Sequence, residues 1–209
     1  MEKDKINIVV ADASHIPYVD TILETIETAA KARGTGIARR SPEYILKKME
    51  EGKAIIAFVN DEFGGFCYIE TWSDKKFVAN SGLIVVEKFR GHGLAKSIKN
   101  KAFELSRTRY PDAKIFGLTT GLAVMKINSE LGYKPVTFSE LTDDQAFWKG
   151  CEACCNFDIL QRNNYKMCLC TGMLYDPETE EKKSKKNTWK EVFKKIISLP
   201  IAPFKDSKK

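Results

Sequence analysis

Hydrophobic positions in this chain recur first at strand spacing, then at helical spacing, and the alternation predicts a mixed α/β fold. Ile6-Asn7-Ile8-Val9-Val10 predicts an opening strand. Ile16, Val19, Leu23, Ile26 and Ala30 share one helical face and predict a helix over 17–32, with Ser14 as its cap and Gly34-Thr35-Gly36 as its end. Ser41-Pro42 starts a second helix in the favoured cap and first-turn order, with Tyr44, Ile45, Leu46 and Met49 apolar and Gly52 closing it. Two β-rich runs, 54–59 and 63–72, flank Asn60-Asp61-Glu62 and predict a hairpin, and 77–86 predicts a further strand. Leu94, Ile98, Ala102 and Leu105 then predict a helix over 94–107. A strand over 114–120, a short helix over 121–131 stopped by Gly132, and a strand from Tyr133 to Val136 complete the order. No internal repeat is present.

Between the strand ending Leu83-Ile84-Val85-Val86 and the helix at 94 lies Arg90-Gly91-His92-Gly93-Leu94-Ala95. The unpaired N–H groups of a helix start, approached through two glycines, make a site for an anion. The spacing is neither that of a P-loop nor that of a dinucleotide-binding turn. An ordinary tight turn is the plain alternative.

Arg-x-x-Gly-x-Ala after a strand resembles the pyrophosphate loop of the Gcn5-related N-acetyltransferase (GNAT) superfamily, and Leu131-Gly132-Tyr133 resembles the ending of that superfamily's last helix. The likeness spans residues 79–138 and follows the superfamily's element order. It implies an α/β fold with a mixed, mostly antiparallel sheet, flanked by helices and splayed between its fourth and fifth strands. Acyl-CoA would enter the split as cosubstrate, held by Arg90, Gly91, His92, Gly93, Leu94 and Ala95, with Leu83, Ile84 and Val85 on the strand beside its pantetheine arm. His92 reads more simply as an exposed loop residue. The side chains of 83–85 read more simply as core.

Acyl transfer needs the acceptor amine deprotonated and a proton for the leaving thiolate. Glu70, at a strand end, is the candidate base, with a solvated carboxylate or a base acting through water as alternatives. Where the superfamily often carries a tyrosine acid, this chain has Asn128, which can hydrogen-bond sulfur or acyl oxygen but gives up no proton. Leu118-Thr119-Thr120 and Leu131-Gly132-Tyr133-Lys134-Pro135-Val136 resemble the acyltransferase domain of bacterial N-acetylglutamate synthases. This resemblance implies an α-amino acid acceptor such as glutamate, a role in arginine biosynthesis, and cationic partners for the acceptor carboxylate. Arg33, Arg39 and Arg40 are the candidates, with a plain charged loop as the alternative.

Five of the six cysteines fall within twenty positions. Cys151, Cys154, Cys168 and Cys170 could supply a tetrahedral zinc site, or be buried apolar thiols on a strand running through Met167-Cys168-Leu169-Cys170. The segment 148–177 stands apart from the superfamily pattern and reads as an insert.

Charge adds one boundary. Residues 181–209 hold ten Lys against Glu181, Glu191 and Asp206, so the preceding 180 residues carry about −1 of the net +6. The body is therefore not a nucleic-acid surface. The expected organisation is an acyltransferase domain over 1–177, then a lysine-rich linker and amphipathic helix over 178–209. Thr188-x-x-Glu191 forms the capping box of that helix, and Trp189, Val192, Phe193, Ile196 and Ile197 its stripe. Docking on its own domain or in a homodimer is favoured over a membrane surface. No apolar run reaches the ~18 residues of a membrane span, and no secretory pattern opens the chain, so the cytoplasm is the expected location. The leading expectation is an N-acyltransferase moving an acyl group, acetyl first, from acyl-CoA to a small amino acid. A protein or peptide N-acetyltransferase and a non-catalytic zinc-bearing interaction module are the competing readings.

Overall fold

The computed structural model describes residues 4–33 and 38–180, with the side chain of Arg33 outside the description. The chain separates into a unit spanning 1–176 and a second spanning 177–209. The expected helix near 188–199, its dimer or membrane roles, and the glycine break at 34–36 lie outside the described residues.

The first unit is built on one seven-stranded sheet in the order β1-β2-β3-β4-β5-β7-β6. Its strands are β1 (Ile6–Val10), β2 (Ala54–Val59), β3 (Glu62–Trp72), β4 (Phe77–Val85), β5 (Lys114–Thr119), β6 (Lys134–Val136) and β7 (Thr171–Tyr175). All neighbouring pairs are antiparallel except β4 with β5. Among the described residues the helices are α1 (Val19–Arg33), α2 (Pro42–Glu50), α3 (Leu94–Arg109), α4 (Leu122–Glu130), α5 (Gln145–Lys149) and α6 (Phe157–Arg162).

Two apolar layers sandwich the sheet's first half. Ile22, Ile26, Ile45 and Met49 of α1 and α2 pack on one face against Ile56, Phe66, Tyr68 and Ile84. Leu94, Ile98 and Ala102 of α3 pack on the other against Ile55, Cys67, Ile69, Val78 and Ile115. Central strands covered on both sides are apolar at every position, which is why β2 is buried throughout.

Two local readings are corrected. Ser14 is not the cap of the first helix. The Asp12 carboxylate accepts from Ser14 N at 2.9 Å and Ser14 Oγ at 2.6 Å, and caps a 3-10 turn, Ala13–Tyr18. The α-helix begins only at Val19, beyond Pro17, which has no N–H to give it. The cysteine run at 167–170 is not strand. β5 ends opposite Thr171 through the pair Thr119↔Thr171, so residues before Thr171 have no partner in the ladder. Met167 and Leu169 are exposed there. The strand is the following run, Thr171–Tyr175, which inserts between β5 and β6 and makes the end of the expected insert part of the sheet.

Candidate active site

The feature that shapes the site is a fork. β4 and β5 pair in parallel only at Phe77↔Lys114, Val78↔Ile115 and Ala79↔Phe116. Beyond Ala79 the two strands part, leaving the β4 edge over 80–85 without a partner strand and its backbone donors and acceptors facing the gap. A bulge sharpens this. Phe66 faces Ile84 but Tyr68 faces Ser81, so β4 carries one extra residue here. Gly82 absorbs it at φ +66°, with the Tyr68 ring 2.5 Å from where a Cβ would lie.

At the mouth of the fork stands the start of α3. Gly91 and Gly93 have φ +85° and +81°, and a Cβ at either would meet nothing within 4 Å. Gly93 is the N-cap residue and no side chain caps the helix. The first N–H groups of a sixteen-residue helix are thus left facing open space. Arg90 turns back, donating from Nε to the Val85 carbonyl at 3.1 Å, which ties the loop to the end of β4. His92 is exposed. Leu94 is buried core and Ala95 packs beside it. Ile84 and Val85 are also buried in the core, whereas Leu83 borders the cavity described next.

The fork opens into a cavity of about 540 Å³ whose walls include Arg39, Arg40, Tyr44, Tyr68, Glu70 and Asn128. Arg40 is the best-held cation on its wall. Its Nε donates to Tyr68 Oη at 2.8 Å and its Nη1 to the Arg39 carbonyl at 2.9 Å, and its guanidinium lies over the Tyr44 ring at 5.5 Å. No carboxylate pairs with it among the described residues, so the remaining guanidinium edge is available to an anion. Arg39 borders the same cavity but is exposed.

Glu70 also lines the cavity, but it is already committed. Lys48 and Lys53 both donate to its carboxylate, the latter at 3.1 Å, and Thr71 N donates at 3.0 Å. Lys48 is 3 % exposed, and burial lowers its pKa while Glu51 works the other way. Both carboxylate oxygens are thus occupied, Oε2 by Lys48 and Oε1 by Lys53 and Thr71 N. Asn128 is buried at the other side, and its Oδ1 has no hydrogen-bond partner among the described residues. A buried orphan acceptor costs free energy until a donor reaches it, and the N–H groups of a ligand can do so.

The cysteine segment forms part of the cavity wall. Gly150, Cys151, Cys154 and Cys170 border the cavity beside Arg40. Burial, reinforced by neighbouring thiols, pushes Cys151 up to about 11 and Cys170 up to about 12, so both stay neutral thiols. Cys168 donates weakly to the Asn156 carbonyl at 3.7 Å. Among the described residues no group of three or more His, Cys, Asp or Glu is disposed to hold a metal ion. The zinc expectation for Cys151, Cys154, Cys168 and Cys170 therefore gains no support.

Sequence reasoning missed Lys99, which is 2 % exposed and lines the cavity. The signal was present: position 99 lies between 95 and 102 on the apolar stripe of α3, where a lysine is out of place. It also missed Tyr68 and Lys48, whose roles depend on contacts across strands.

No family model matches this chain, and no curated protein sequence matches it significantly. Solved structures do. N-acetylglutamate synthase from Neisseria gonorrhoeae, complexed with coenzyme A and N-acetyl-glutamate, superposes with a TM-score of 0.59 at 14% identity. That match covers 84% of this chain and 36% of the synthase, so the chain spans about a third of that relative's length. Rv2747 from Mycobacterium tuberculosis, in complex with CoA and NLQ, gives 0.58 at 14% identity over 81% of this chain and 98% of that one. The yncA protein from Salmonella typhimurium, with its cofactor acetyl-CoA, gives 0.57 at 13% identity over 83% and 94%. At these identities the likeness is one of fold.

Proposed function

We propose that this chain, built on the GNAT fold it shares with those structures, transfers an acyl group from acyl-CoA to the α-amino group of a small amino acid, glutamate being the first acceptor to test. One observation carries the reading: a single cavity joins the unpaired β4 edge over 80–83 to Arg40, a cation without a carboxylate among the described residues, and the same strand leads at Val85 to the loop before the uncapped α3 start. The first end suits a diphosphate followed by an extended amide-bearing arm, whose N–H and C=O groups pair with a free strand edge. The second suits the carboxylate of an amino acid, met by the guanidinium nitrogen that the Tyr68, Arg39 and Gly150 bonds do not use.

In this reading the chain's residues act by placement. The open amides ahead of α3 take the phosphates. The β4 edge over 80–85 aligns the arm and fixes the depth of the thioester. Arg40 anchors the acceptor so that its amine faces the thioester carbonyl, a gain of proximity and orientation. Asn128 hydrogen-bonds the ligand at the reacting end. Glu70, paired with Lys48 and Lys53, serves as their counter-ion and borders the acceptor, and the ammonium proton leaves through water.

The test is thiol release from acyl-CoA against a panel of free amino acids. Turnover with glutamate, lost when the amine is blocked, supports the proposal. Binding of acyl-CoA with silence across the whole panel removes the small-amino-acid acceptor and turns attention to polypeptide amines. Failure of CoA itself to bind removes acyl transfer altogether.

A further inference from the structure

We infer that Lys99 is a subsite for a carboxylate at the far end of the acyl chain, so that the preferred donor is the CoA thioester of a short dicarboxylic acid, of the succinyl type, rather than acetyl-CoA. The inference rests on the acyl-transfer reading above and adds the identity of the group transferred.

Lys99 reaches from α3 to the point where β4 and β5 part. Gly117 is the first β5 residue past the last pair, and a Cβ there would lie 3.8 Å from Lys99 Nζ and 3.3 Å from the Asn80 carbonyl. The ammonium therefore stands at the apex of the fork, in space that a glycine keeps open. An unpaired ammonium is costly to bury, and what surrounds this one does not neutralise it. Cys67 faces it from β3 and Tyr133 from the turn after α4. Burial holds both in their neutral forms, Cys67 up to about 11 and Tyr133 well above the usual tyrosine range. The polar atoms nearby satisfy one another: Tyr133 Oη donates to Asn80 Oδ1, Asn80 Nδ2 to Ser106 Oγ, and Ser106 Oγ to the Ala102 carbonyl, each at 2.8 Å. Among the described residues no carboxylate reaches Lys99, and its one close partner is the face of the Tyr133 ring, 5.3 Å from Nζ to the centroid. Burial draws its pKa down to about 8, which leaves it mostly cationic at neutral pH.

The direction of the fork supplies the ligand. Phosphates held ahead of α3 sit at the mouth, near Val85. From Val85 back to Asn80 is about 16 Å of strand, comparable to an extended pantetheine arm, so the acyl group arrives at the apex. An acetyl group ends at the thioester and leaves the ammonium unmatched. A dicarboxylic monothioester carries its carboxylate a few carbons further, to the cation.

The experiment is calorimetric binding of succinyl-CoA, butyryl-CoA and acetyl-CoA to the full chain, with turnover on the same donors once an acceptor is known. Succinyl-CoA is expected to bind about tenfold or more tightly than butyryl-CoA, which has the same chain length without the charge. Lys99→Met abolishes that preference, bringing succinyl-CoA affinity to that of butyryl-CoA measured with the same variant. In the wild type the preference shrinks as pH rises through about 8, where Lys99 loses its proton. Equal affinity of the wild type for succinyl- and butyryl-CoA overturns the inference without recourse to any variant. So does a Lys99→Met enzyme slowed equally with every donor, which would mark a proton donor to the leaving thiolate. If no thioester and no CoA binds, the fault lies with the acyl-transfer reading itself.

Discussion

Lys99, Arg40 and Lys48 are three cations held in or against the same cavity, and they differ in what answers their charge. Lys48 has Glu70 and Glu51; Arg40 has a tyrosine hydroxyl, aromatic rings and carbonyls, and Lys99 has an aromatic ring. Glu70→Gln leaves the buried Lys48 ammonium with Glu51 alone, 3.7 Å away, and is expected to cost about 2 kcal/mol of stability. Thermal denaturation should therefore show a drop of several degrees. The turnover of the folded fraction should stay within a few-fold of wild type; a thousandfold loss of kcat with unchanged stability would instead make Glu70 the base. Arg40→Lys loses the planar fork that bonds Tyr68 and the Arg39 carbonyl while presenting a further nitrogen, and acceptor KM is expected to rise about ten- to hundredfold while CoA affinity holds. For Lys99 the linkage runs in an uncommon direction. Its folded pKa, about 8, lies below the unfolded lysine value, so above pH 8 the unfolded chain binds more protons than the folded one. Stability then rises with pH across that window. Denaturant titrations at pH 7 to 10 should show this rise in the wild type and not in Lys99→Met.

Elements with their own punctuation were legible in the sequence. Ser41-Pro42 does open α2, with Ser41 Oγ accepting from Tyr44 N at 3.2 Å, and the glycine loop does open α3. These signals are local, set by a cap or a forced φ. What escaped was set across the chain. Asp12 outcompetes Ser14 because a carboxylate takes two donors from it, a contest that a capping preference does not rank. Thr171–Tyr175 becomes a strand because β5 and β6 leave a place between them, and the same run alone reads as the tail of an insert. Within α3 the start is the vulnerable point. Gly93→Ala forces an L-residue to φ +81°, at a cost of about 1–2 kcal/mol, a fall of a few degrees in melting temperature. Its Cβ enters the open side where ligand phosphates would lie, so CoA affinity is expected to fall by more than the loss of stability accounts for. Calorimetry beside a melting curve separates the two.

At the scale of the whole first unit, the proposed donor and acceptor sites draw on different parts of the chain. The arm-binding edge and the helix start come from the contiguous stretch 80–97, which is why the candidate donor site could be read from motifs. The acceptor wall is assembled from the loop at 38–41, from Tyr44 and Tyr68, and from the segment around Cys151 and Cys170. Arg40 touches both sources: it bonds Tyr68, and its Nη1 lies 3.5 Å from the Gly150 carbonyl. No sequence motif spans residues 110 positions apart, so the meeting of Arg40 with the cysteine segment had no signature to find. The same separation explains why Arg39 and Arg40 looked equivalent in sequence: adjacent in the chain, they differ only in which one the distant wall receives.

The cysteine-bearing wall is a stretch of chain separate from the glycine loop. It borders the acceptor end, enters the sheet through Thr171–Tyr175 and leaves the glycine loop untouched. Substitutions at the cavity-facing positions of 145–170 that keep Trp148 and Leu160, which are core with Ala79 and Phe116, would alter which amine is accepted without retuning the thioester that is spent. In such a molecule selectivity for the nucleophile can drift by point changes in one wall, while the stretch proposed to hold the thioester is inherited unchanged.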